Sequence, residues 1–138
     1  MLWWRHATLH LFLTEHDNST DELYRVTVHG VVGVDVVIAA ADGFTYDGTN
    51  PWTANACCHN DVPLAQADIS NAVTELHVDK TLGEKVFDVT ALVQGWIDGA
   101  STNNGVVLVP DAGSAFANSR SADYGDSALH PQLVVTYE

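Results

Sequence analysis

The chain has 138 residues, and its 18 Asp and Glu against 5 Lys and Arg give a formal charge of -13, which excludes partners that are themselves polyanions. Phosphate backbones and anionic membrane surfaces are repelled by such a surface, so neither nucleic acid nor membrane is expected as a partner. The length suits a single domain over residues 1–138, able to bury roughly 68% of its unfolded surface without help from a disulfide or a metal.

Met1 to Arg5 lead straight into TLHLFL, and Arg5, His6, His10 and Glu15 interrupt the apolar run before it acquires signal-peptide or membrane-span character. No export signal is expected, so work outside a cell would require lysis, another route of export or a larger precursor. Thr8 to Thr14 alternates as a half-buried strand does, EHDNSTDE from Glu15 to Glu22 is a polar connection, and Leu23 to His29 is the returning strand. Val31 to Ala41 is a long apolar, β-branched run that reads as strand followed by turn.

From Asp42 to Pro63 the pattern dissolves into DGFTYDGTNPWTANACCHNDVP, where Gly, Asn, Asp and Pro recur among Phe44, Tyr46 and Trp52. Connections of this length bind something or pack as an ordered insert, which makes the segment the first place to look for function. Cys57 and Cys58 within it are adjacent, a spacing that gives only a strained mutual disulfide, and they are assigned no role. Leu64 to Val78 supplies a further strand, Lys80 to Glu84 a turn, and Val86, Phe87 and Val89 open the next element.

A short helix is predicted near Thr90–Asp98: Asp88 or Thr90 can accept its free amide hydrogens, Leu92, Val93, Trp96 and Ile97 share one face, and Gly99 is placed to end it. STNNG turns the chain into a strand from Val106 to Val109, DAGSAFANSRSADYGDSA forms a second long polar connection, and HPQLVVTYE from His130 is a Pro-initiated terminal strand. The fold class is therefore mostly β, a jelly-roll-like antiparallel β-sandwich with one short helix.

The segments ATLHLFL, YRVTV, FTYDGTNPWTANA, FDVTALVQGWIDG with NNGVVLV, and AFANSRSADYGDSALHPQLVVTY together resemble the DNRLRE domain family, a jelly-roll-like group that overlaps with carbohydrate-binding modules. The resemblance covers most of the chain from Ala7 onward, and the helix segment and HPQLVVTY are its more specific parts. It implies a displayed or adhesive module of large extracellular or phage-encoded proteins. Two departures stand out. Family members carry strands ahead of the ATLHLFL segment, whereas only Met1 to His6 precede it here, which implies an open strand edge for a neighbour to complete; the alternative is that Val31 to Ala41 fills the gap. Phe44 stands where the family usually has tryptophan, which weakens the transfer of an aromatic binding platform.

Chemistry is less legible. His6, His10, His16, His29, His59, His77 and His130 are scattered without an HExxH or HxH pair, so no metal ligands are assigned and no cofactor is expected. Asp side chains in DGTN and SADYGD suit a structural calcium ion and serve backbone turns equally well. No GxSxG occurs, and no catalytic residue is assigned. Tyr46, Trp52 and Tyr124 are the candidate glycan-stacking aromatics, with burial of Trp52 in the core the competing assignment. Trp3 and Trp4 are the candidate assembly surface. The leading expectation is a non-catalytic structural module on a virion surface or in the extracellular space, a phage decoration or fibre-associated protein whose partners are further copies of itself or a virion component. The alternative is a carbohydrate-binding module of a secreted or cell-surface protein, with polysaccharide as its ligand.

Overall fold

The computed structural model describes residues 4–16, 24–42, 44–53, 68–79, 81–110 and 117–137. Among the described residues, seven strands and one α-helix follow in the order β1 (Trp4–His16), β2 (Tyr24–Val31), β3 (Ile69–Val78), β4 (Gly83–Asp88), α1 (Thr90–Ile97), β5 (Val106–Pro110), β6 (Ala117–Ser119) and β7 (Gln132–Tyr137). They form two antiparallel sheets, one with β1 at its centre and one with β2 at its centre. The first carries β4 on one edge of β1, and β7 and β6 end to end on the other. The second has the order β3-β2-β5. The chain changes sheet between β1 and β2, β3 and β4, β4 and β5, and β5 and β6. The result is the antiparallel β-sandwich expected from the alternating segments.

The sidedness of β1 follows from its sequence. Ala7, Leu9 and Leu11 point into the sandwich, where they meet Val26 and Val28 of β2, Phe87 of β4 and Leu108 of β5. Thr8 and His10 take the opposite face, because successive strand residues alternate. A slip of one residue would put threonine and histidine in the core, so the register is strongly specified.

Helix α1 lies across the passage from β4 to β5 and inserts Leu92 and Val93 into the same core, with Trp96 packed against it. Ile97, expected on that buried face, is exposed. The helix has ended there: Asp98 follows, and Gly99 at φ 72° takes the left-handed step that stops it. Its start uses Asp88, one of the two expected acceptors. The flanking residue is Val89, which offers no side-chain cap, while Asp88 Oδ1 accepts the Thr90 N–H at 3.0 Å and the Thr90 hydroxyl at 2.7 Å. The Thr90 hydroxyl in turn accepts the Ala7 N–H at 3.0 Å, tying the helix to β1. A Cβ built on Gly30 of β2 would lie 2.8 Å from Leu92 Cδ1, so the helix reaches its depth because that position has no side chain.

The apolar run after His29 folds differently from expectation. The strand closes at Val31 and residues 32–37 are irregular, whereas the expected turn is present at residues 38–40. Val34, Val36 and Ala41 pack instead around a second small core of Val31, Trp52 and Ile69, on the far face of the β2 sheet. The second long polar connection also holds more order than the sequence suggests: β6 pairs with β1, and a 3-10 turn spans Ser127–Leu129.

Candidate functional site

Of the three candidate glycan-stacking aromatics, Tyr46 and Trp52 meet and Tyr124 lies apart from them. Trp52 is 6% exposed, its indole N–H donates to the Asp42 carbonyl at 2.9 Å, and Tyr46 meets it edge-on with ring centres 5.9 Å apart. Both belong to the layer covering the β2 sheet. Trp52 is therefore a core residue with no ring face left for stacking, which corrects its assignment as a glycan contact. Tyr124 lies between β6 and β7 in the other sheet, with the Arg120 guanidinium 3.9 Å from its ring centre. Its carbonyl accepts the His130 Nε2–H. Trp3 lies outside the described residues, as do Cys57 and Cys58. Trp4 is described by its backbone alone, which pairs with Tyr137.

The Asp-rich loops use their carboxylates on themselves. Asp47 Oδ1 accepts the N–H groups of Thr49 and Asn50, and its Oδ2 accepts the Asn50 side-chain amide at 2.7 Å. Asp42 Oδ1 accepts from Phe44 and Thr45, both at 2.7 Å. These backbone hydrogen bonds favour the ionised form and hold both carboxyls below the usual aspartate value. Asp126 Oδ1 accepts the Ala128 N–H and starts the 3-10 turn. Among the described residues, no group of three or more His, Cys, Asp or Glu side chains is placed to hold a metal ion.

On the outer face of the β1 sheet, Glu84 of β4 lies 2.6 Å from Nδ1 of His10, and the Thr8 hydroxyl lies 2.8 Å from its Nε2. With Nδ1–H donated to the carboxylate, Nε2 accepts from the threonine hydroxyl. That is the order of a nucleophilic relay. The relay stands on the middle strand of its sheet, whose amides are directed to ladders on both edges, so the backbone N–H pair of an oxyanion pocket is not provided by β1 beside Thr8. The pairing joins residues far apart in sequence, so only the Thr8 and His10 half was legible, as alternation within TLHLFL.

Two buried polar groups were not singled out by sequence. His29 is enclosed on the far side of β2, with Nδ1 2.9 Å from the Ser70 carbonyl and Nε2 2.9 Å from the Thr27 hydroxyl. Asp68 is 2% exposed; its Oδ2 accepts the Thr53 N–H, and its Oδ1 has no partner among the described residues.

The edges of the sheets differ in how they are guarded against further pairing. β4 carries Glu84, Lys85 and Asp88, β3 carries Glu75 and pairs through register shifts, and β5 ends in Pro110. Charges, bulges and proline are the usual means of blunting an edge. β7 carries no charged residue or proline within QLVVTY, although Pro131 bounds it at the start and its pairing with β1 has one register shift, between Trp4 and His6. Among the described residues it pairs with β1 alone. Leu133 is 48% exposed and Val134 44%, so apolar surface is open on both of its faces. No helix among the described residues is long and apolar enough to cross a membrane. No family model, curated protein or solved structure matches the chain.

Proposed function

We propose that the protein is a non-catalytic, displayed β-sandwich that works by assembling with its neighbours, as a phage virion decoration or fibre-associated protein does. The observation that carries this reading is the β7 edge, a six-residue strand without charge in a chain of net charge -13, with apolar side chains open on both faces. An unguarded edge is a template for another strand, and a soluble acidic protein that keeps one gains a docking line from it. The resemblance of FDVTALVQGWIDG and HPQLVVTY to the DNRLRE domain family supports display in the same sense.

The polysaccharide reading has less support, because Trp52 is enclosed, Tyr46 lies in the layer over the β2 sheet and Tyr124 in the connection between β6 and β7. Solution mass by light scattering at low and high salt, run beside electrophoresis in polysaccharide-containing native gels, separates the two. The expected result is a mass above the 14.9 kDa of one chain and a mobility indifferent to polysaccharide. A monomer at both salts that polysaccharide retards would overturn the assembly reading in favour of glycan binding.

A further inference from the structure

We infer that the β7 edge pairs with the β7 edge of a second copy of this chain, antiparallel about a two-fold axis perpendicular to the sheet. The inference rests on the assembly reading and names its partner. Two chains of net charge -13 repel, so a contact between copies is favoured where neither brings a carboxylate, and β7 reads Gln132, Leu133, Val134, Val135, Thr136 and Tyr137. A second copy set antiparallel against β4 about Val86 would oppose Glu84 of each copy to Asp88 of the other, a pairing that like charges disfavour.

Val135 packs against the main core, so the odd residues of β7 face inward and Gln132, Val134 and Thr136 face outward. A two-fold axis normal to the sheet keeps the outer face outward on both copies, so residues that meet across it have the same parity. The first register places Val134 opposite its counterpart, Leu133 opposite Val135, and Gln132 opposite Thr136. The second places Val135 opposite its counterpart and Val134 opposite Thr136. Both oppose uncharged side chains, with Val134 or Val135 meeting its own counterpart at the centre, the kind of β-branched cross-strand pair that stabilises a sheet. The resulting sheet runs β4-β1-β7 and then β7-β1-β4 of the second copy, and its remaining edges are the charged β4 strands. Assembly through this edge therefore closes at two.

Light scattering over a concentration series of wild type, Val134→Lys and Val86→Lys tests the inference. The two variants make the same change of charge at exposed valines on the outer face of one sheet, at β7 and at β4. The expected result is a wild-type dimer at twice 14.9 kDa, a dissociation constant raised about tenfold or more by Val134→Lys, and little change from Val86→Lys. Amide hydrogen exchange of the wild type gives a reading independent of any variant: the amides of β7 gain protection with concentration and those of β4 do not. An oligomer that Val134→Lys leaves intact, with β7 exchange independent of concentration, overturns this pairing while the assembly reading stands. A monomer throughout the series overturns the pairing and removes self-assembly from that reading too.

Discussion

At the scale of single residues, Trp52 separates a structural role from a recognition role. Its ring belongs to the small core with Val31 and Ile69, and its N–H is satisfied by the Asp42 carbonyl. Trp52→Ala should destabilise the fold by about 3–5 kcal/mol through lost burial and the cavity left behind, read as a shift in urea midpoint with intact circular dichroism below it. A variant as stable as wild type would show that the layer over β2 is not bound by this indole. His29 shows why a histidine pattern alone was uninformative. Its two ring nitrogens find the Ser70 carbonyl and the Thr27 hydroxyl, and both partners depend on a strand pairing that sequence does not display. The same holds for Glu84, whose meeting with His10 is made by the β1–β4 register.

At the scale of elements, four aspartates form a set with one acid response. Asp42, Asp47, Asp79 and Asp88 each accept hydrogen bonds from the backbone or hydroxyl groups of their own turns, and each is held below its usual carboxyl value for that reason. An unfolded aspartate titrates near 3.9. As pH falls past that value the unfolded chain takes up protons first, so the contribution of these turns is fully present above about pH 4 and is lost as pH drops through the lower folded values. Urea midpoints measured from pH 5 to pH 2.5 should fall towards acid for wild type and fall less for Asp47→Asn. Equal slopes would mean that the Asp47 turn does not contribute to the acid response.

The elements themselves were legible where local pattern and burial agree. The alternation of β1, the capped segment of α1 with Gly99, and the Pro-bounded β7 follow from periodicity and turn chemistry. The run after Val31 leaves the strand and keeps only its turn, because β-branched apolar residues serve a second core as readily as a ladder. β6 is three residues of Ala, Asn and Ser whose strand state comes from docking on β1 rather than from propensity. The β7 edge could be suspected from a lone terminal strand, but its lack of guarding emerges only by comparison with β3, β4 and β5.

For the molecule as a whole, the charge of -13 sets the dependence on salt. Raising ionic strength from about 10 mM to about 150 mM shortens the screening length from roughly 30 Å to roughly 8 Å, which weakens repulsion both within a chain and between copies. The thermal midpoint by scanning calorimetry is expected to rise over that interval, and the monomer–dimer equilibrium to shift towards dimer. A midpoint that falls with salt would mean that attractive pairs such as Lys85–Asp79 and Arg25–Glu75 outweigh the excess of carboxylates. The end-to-end placement of β6 and β7 has a consequence of another kind. Arg120 donates its N–H to the Phe12 carbonyl and Gln132 pairs with His10, so the chain leaves the edge of β1 and returns to it two positions further along. Residues 121–131 are thus a detour whose ends are fixed by the same neighbour, and the closure entropy of such a loop grows slowly with its length. Lineages can lengthen, shorten or rewrite that excursion while the sandwich keeps its register, which makes it the natural place for sequence variation and for grafting a foreign peptide.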